Sequence, residues 1–173
     1  MKVVQRYNIV LKLDIILGLP FETFESYFKG LESILSYLRN TDHILNVHRL
    51  QILPGSDLET SSSSYGIVYS EDAPHYVFST SSMSHSELMM ASKLTAVLFR
   101  IINSPLRGHF FAAKESNGTT LLGMLEKVLG GLIESADLRR ARLVQEDFMD
   151  DNYWNDEIYR EIPSQWLTEY LTR

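Results

Sequence analysis

The 173-residue chain contains no cysteine. That excludes disulfides, a thiolate nucleophile and any metal or cluster held by thiolates of this chain. Long apolar runs are also missing. The nearest, KLTAVLFRII at residues 93–102, is interrupted by Arg100 and is shorter than the roughly 18 residues a bilayer span needs. The N-terminus lacks the basic, apolar and small-residue succession of a secretory signal, so the expected location is cytoplasmic, without membrane contact. Positive charge is scarce, with 16 Lys and Arg against 22 Asp and Glu and a net charge of −6. Acid concentrates in QEDFMDDNYWNDEIYREI at residues 145–162, which repels a phosphate backbone, and no basic stripe compensates. Nucleic acid is therefore not an expected partner. The acidic stretch itself reads as a solvated face. The histidines at 43, 48, 75, 85 and 109 show no H-E-x-x-H spacing, and no G-x-S-x-G elbow supports a hydrolase triad.

What is present fits a globular protein with a real core: 45% apolar and 22% charged residues. MKVVQRYN reads as the last turns of a helix stopped by Asn8, with no N-cap before it, as though the chain began inside a longer architecture. Residues 9–18 form the clearest strand. Leu11, Leu13, Ile15 and Leu17 share one face and Lys12, Asp14, Ile16 and Gly18 the other. Lys12 and Asp14 on that second face suit an ion pair facing a lumen. An amphipathic helix follows from Thr23, its N-cap, to Arg39, with Asn40 as a stop. Its stripe is Phe24, Phe28, Leu31, Leu35 and Leu38, and Gly30 reads as a place of close approach to a strand. ILNVHRLQILPGS is a second strand ending in a Pro-Gly turn, completing a βαβ unit with parallel strands. Either His48 or Arg49 on it could point inward toward a substrate.

Residues 58–83 read as a long irregular stretch whose serine run, 61–64, is a flexible loop. Ser84 and Glu87 form a capping box for a helix with the stripe Leu88, Ala91, Leu94, Leu98 and Ile101, stopped by Asn-Ser-Pro at 103–105. Beyond it the pattern is helical, through TTLLGMLEKVLGGLIES, DLRRARLVQEDFMD and a Trp/Tyr/Leu segment interrupted by Pro163. A domain boundary falls near 104–118.

Two tight bends carry the chemical interest. LDIILGLPFET at residues 13–23 runs from a strand through Gly-Leu-Pro into a helix, and LPGS at 53–56 ends the next strand. Each could be a simple turn; at the carboxyl ends of parallel strands, each could also be the lip of a ligand site. In order and spacing, these stretches with YGIVYSEDAPHYVFST and MSHSEL resemble the C-terminal third of the radical S-adenosylmethionine core. The likeness is to the subgroup that carries a cobalamin-binding domain ahead of the barrel. Asp14, Ile16, Gly18, Leu19, Pro20, Glu22 and Thr23 match its D-x-I-x-G-L-P-G-E-T pattern. Leu53, Pro54, Gly55, Ser56 and Leu58 match L-P-G-[ST]-x-L. Tyr65, Gly66, Ile67, Tyr69, Tyr76 and Val77 approximate Y-G-I-x-Y and P-Y-x-V. Phe21 stands where the pattern has Gly, and His75 intrudes between Pro74 and Tyr76.

The resemblance implies an α/β fold: residues 1–103 as the C-terminal third of a (β/α) barrel with parallel strands, the fifth and sixth of six. Residues 104–173 would be a mostly α-helical C-terminal extension. It implies an iron–sulfur oxidoreductase or transferase using S-adenosylmethionine, a 4Fe-4S cluster and, in this subgroup, cobalamin. Ile16, Gly18, Leu19 and Pro20 would lie against the adenine from one strand, and Leu53 and Pro54 from the other. The family's Cys-x₃-Cys-x₂-Cys loop has no counterpart in a chain without cysteine. The chain is thus expected to be an inactive fragment that binds no cofactor tightly alone. It would depend on the missing N-terminal barrel portion or on self-association, because two strands leave two open edges. The competing reading is a non-catalytic interaction module. Its helical half would present Phe148, Tyr153, Trp154, Tyr159, Trp166 and Tyr170 as core or contact residues.

Overall fold

The computed structural model describes residues 6–7, 9–39 and 41–134. The expected stops at Asn8 and Asn40, the acidic stretch and the Trp/Tyr-rich segment lie outside the described residues. The fold is mixed α/β. Strand β1 (Lys12–Leu17) leads into helix α1 (Phe24–Leu38) and then strand β2 (Ile44–Arg49). The two strands pair in parallel, in register from Lys12 opposite Ile44 to Leu17 opposite Arg49. This is the βαβ unit the alternation and stripe predict, and its chain path explains why. An intervening helix is what carries the chain back to start a parallel neighbour.

Local chemistry sets the helix ends. Thr23 caps α1 in a capping box, its Oγ1 accepting from the Ser26 N–H at 3.1 Å while Ser26 Oγ accepts from the Thr23 N–H at 2.9 Å. Along α1 the buried side chains are Tyr27, Phe28, Leu31, Leu35 and Leu38. Tyr27 is buried although it lies off the expected stripe, because its hydroxyl bonds Thr95 Oγ1 at 3.0 Å inside the core. Burial pushes that phenol well above its ordinary range. Phe24 is only half-buried. Gly30 corrects an expectation: a Cβ there would meet nothing within 4 Å, so no strand approaches it.

The stretch expected to be irregular is folded. A one-turn helix α2 (Asp57–Thr60) and a 3-10 turn (Ser62–Tyr65) take up the serine run, with Ser61 N–H donating to Asp57 C=O at 3.0 Å. Gly66 ends the turn at φ +60°, and a Cβ there would sit 3.2 Å from the Ser81 N, so a side chain at this position would be strained and crowded. Strands β3 (Val68–Tyr69) and β4 (Val77–Ser79) then pair antiparallel. Helix α3 (His85–Ile102) begins at the Ser84/Glu87 capping box and buries all five expected stripe residues. Helices α4 (Arg107–Asn117) and α5 (Leu121–Glu134) follow.

The helices lie on one face of the β1–β2 pair. Leu31 and Leu35 of α1, Leu94 and Leu98 of α3, and Leu125 and Val128 of α5 join Leu17, Leu45 and Val47 in a single apolar cluster. The opposite sheet face is open among the described residues: Ile16 and Ile44 are each 42% exposed there. The expectation of two bare edges needs correcting. The outer edge of β2 is closed at Leu45, because Asn103 donates its amide to Leu45 C=O at 2.7 Å and accepts from Leu45 N–H at 3.1 Å. Beyond β2, Val77 N–H donates to Leu50 C=O and Ile52 N–H to His75 C=O, each at 3.0 Å. The outer edge of β1 has no partner strand among the described residues.

Candidate functional site

Both bends leave the carboxyl end of the parallel pair, and they are built alike. In the first, Glu22 N–H donates to Leu19 C=O at 3.2 Å, with Pro20 second and Phe21 third at φ +66°. In the second, Ser56 N–H donates to Leu53 C=O at 3.0 Å, with Pro54 second and Gly55 third at φ +81°. Proline followed by a positive φ is the type II turn. Each bend also has a glutamate bonded to a glycine four residues earlier, Glu22 being the last residue of its own turn and Glu59 lying in α2. Glu22 Oε2 accepts from Gly18 N–H at 3.4 Å, and Glu59 Oε2 accepts from Gly55 N–H at 2.7 Å. Burial raises the Glu22 carboxyl above its ordinary 4.5, opposed by the hydrogen bonds from Gly18 and Leu19.

Leu50 N–H donates to Leu17 C=O at 2.9 Å, so the two chains are still paired as they enter the bends. Gly18, at φ +94°, is buried: a Cβ there would lie 3.0 Å from Leu88 Cδ1 and 3.9 Å from Leu50 Cβ. Its close approach is to α3, and its part at the rim is to shape the backbone. Around it the apolar groups face outward: Ile16, Leu19 at 39% exposed and Leu53 at 65%, with Pro54 exposed and Pro20 half-buried. Phe21, 73% exposed, meets the Tyr65 ring edge-on with centroids 5.5 Å apart. Among the described residues this is an open apolar rim suited to a flat, weakly polar ring.

On the open sheet face beside Ile16, the parallel register assembles a polar trio that the sequence did not reveal. Asp14 Oδ1 accepts from Asn46 Nδ2 at 2.8 Å and lies 3.4 Å from His48 Nε2. The Asn46 amide holds the Asp14 carboxyl below its ordinary 3.8, with His48 and Lys12 adding to the effect. The carboxylate thus sits within hydrogen-bond reach of an imidazole that is open to solvent. Asp14 takes its hydrogen bonds from Asn46 and His48, so the expected Lys12–Asp14 pairing is replaced by contacts across the strands. Of the two neighbours on β2, His48 is the one facing the open side. Arg49 is buried on the helix side, its guanidinium 4.8 Å from the Tyr76 ring centroid and donating to Val77 C=O at 2.8 Å. Only knowledge of the register, residue 14 against 46, could have found the trio.

At the other end of the strands a cavity of about 550 Å³ is lined by Thr41, Asp42, Ile44, Phe99, Asn103 and Arg107, among others. Two of its polar side chains, Arg107 and Asn103, are already occupied. Arg107 donates to the carbonyls of Leu38, Thr41, His43 and Ile102, joining the carboxyl ends of α1 and α3 to the loop before β2. Burial lowers the Arg107 pKa, partly offset by Asp42. Asn103 is committed to Leu45. This end is a structural clamp, and in parallel α/β proteins ligands sit at the carboxyl ends of strands. No group of three or more histidine, aspartate or glutamate side chains suited to a metal occurs among the described residues. No helix of the described residues is long and apolar enough to cross a membrane.

No protein-family model matches the chain, and no curated protein matches it.

Proposed function

We propose that residues 1–103 are the adenine-side strands of a radical S-adenosylmethionine barrel of the cobalamin-binding subgroup. Acting alone, this chain would be catalytically inactive. The supporting observation is the pair of matched type II bends at one end of a parallel βαβ unit, with an apolar rim facing outward. The donor set does not fit a 4Fe-4S cluster, since such clusters take thiolates and the chain has none. No reaction step is therefore assigned to it.

The rim residues fit the nucleoside end of S-adenosylmethionine, a sulfonium compound whose cleavage in the complete protein would supply a radical. Ile16, Leu19, Pro20, Leu53 and Pro54 would lie against the adenine, and Gly18 would set the backbone path between them. The cluster ligands would come from the N-terminal barrel portion, the partner this reading requires. The localisation that goes with it is cytoplasmic.

Saturation-transfer NMR with millimolar S-adenosylmethionine tests the reading. Transfer to the adenine protons is expected, and it should be lost in Leu53→Asp and Ile16→Asp, whose side chains are exposed and tolerate the change. Absence of transfer, or transfer that survives both substitutions, would overturn it.

A further inference from the structure

We propose that the open edge of β1 pairs antiparallel with the same edge of a second copy of this chain, in the register centred on Leu13 that sets Lys12 opposite Asp14. This stands on the edge itself, concerns the chain in the absence of the N-terminal barrel portion that would otherwise pair there, and does not depend on what the rim binds.

The direction of the backbone groups fixes which residues can pair. Ile44 N–H donates to Leu11 C=O and Leu50 N–H to Leu17 C=O, each at 2.9 Å. By the alternation of a parallel ladder, the odd-numbered residues of β1 bond to β2. The N–H and C=O groups of Lys12, Asp14 and Ile16 therefore point away from it, and no strand meets them among the described residues. Such a row is a template for another strand. A twofold antiparallel pairing must set outward residues opposite one another, which leaves few registers. Centring on Lys12 faces lysine with lysine, and centring on Asp14 faces aspartate with aspartate. Centring on Ile15 sets Asp14 against Ile16. Centring on Leu13 sets Lys12 against Asp14 twice, and Val10, 57% exposed, against Ile16, 42% exposed.

The order Val-x-Lys-x-Asp-x-Ile is thus complementary to its own reverse on the open sheet face. Opposite charges directly across strands attract and like charges repel, so the same two residues that exclude the neighbouring registers favour this one. The dimer would extend the sheet to β2–β1–β1–β2 with one continuous open face. Both carboxyl-end rims would remain free, one at each end of the molecule.

Sedimentation velocity of the full chain over a hundredfold range of concentration tests this, together with amide exchange. Concentration-dependent dimerisation is expected, with slowed exchange at Lys12, Asp14 and Ile16 as the dimer fills. Lys12→Asp alone and Asp14→Lys alone should each weaken the dimer by about tenfold, because each change sets two like-charge pairs across the axis. The double variant Lys12→Asp/Asp14→Lys should restore it. Both sites are exposed, so circular dichroism should be unchanged. A chain monomeric throughout, a dimer indifferent to the single substitutions, or a double variant no better than the singles would overturn the proposal.

Discussion

The two ends of the β1–β2 pair are finished by different means. At the amino end, side chains from distant parts of the chain close the structure: Arg107 reaches back to the carbonyls of Leu38, Thr41 and His43, and Asn103 pairs with Leu45 as a strand would. At the carboxyl end the hydrogen bonds that close each bend are local, made by its own turn and a glutamate four residues on from the glycine it holds. Its apolar groups are left in solvent. Long-range closure serves stability. Local closure with an exposed apolar rim leaves room for a ligand without unfolding anything, which is why the site is assigned to that end and not to the cavity at the other.

Breaking the amino end should cost the most. Arg107→Met removes the charged donor shared by four carbonyls and is expected to lower stability by about 2–3 kcal/mol in urea unfolding. Asn103→Ala removes both bonds to Leu45 and should cost about 1–2 kcal/mol. The carboxyl end should respond in the opposite sense. Phe21 holds a left-handed φ of +66° that its counterpart Gly55 adopts without penalty. Phe21→Gly should therefore raise stability by about 1 kcal/mol, the relief of a left-handed side chain exceeding the loss of an exposed ring contact. A loss instead would show that the Phe21–Tyr65 contact holds the bend.

The smallest effect concerns pH. Because burial raises the Glu22 pKa in the folded state, the native chain binds this proton more tightly than the unfolded chain does. Stability should fall as pH rises from the ordinary 4.5 through the raised value and then level off. Glu22→Gln should lack that decline, so its stability relative to the parent should improve across the same window, measured by urea unfolding at successive pH values.

Much of this was legible in the sequence because it is local. The alternation around Leu13 and Leu17, the Thr23 cap, the Ser84/Glu87 box and the α3 stripe each depend on neighbours a few residues away, and each is where the pattern places it. What was not legible depends on residues far apart. Asn103 reads as a helix stop, and nothing in Ser-Asn-type chemistry announces that its amide will cover an edge 58 residues earlier. Arg107 looks like one more surface cation. Strands β3 and β4, two and three residues long, are too short to show a period. The bends were recognisable as bends, but their identity of construction required φ values, and the Asp14–Asn46–His48 trio required the register.

The most direct test of the contrast between the two ends is an amide chemical-shift map of the full chain titrated with 5′-methylthioadenosine, the nucleoside end of S-adenosylmethionine without its charge. The expected result is shifts confined to Ile16, Gly18, Leu19 and Phe21 and to Leu53, Gly55 and Ser56. Shifts centred instead on Thr41, Asp42, Asn103 and Arg107, or none at millimolar ligand, would contradict it.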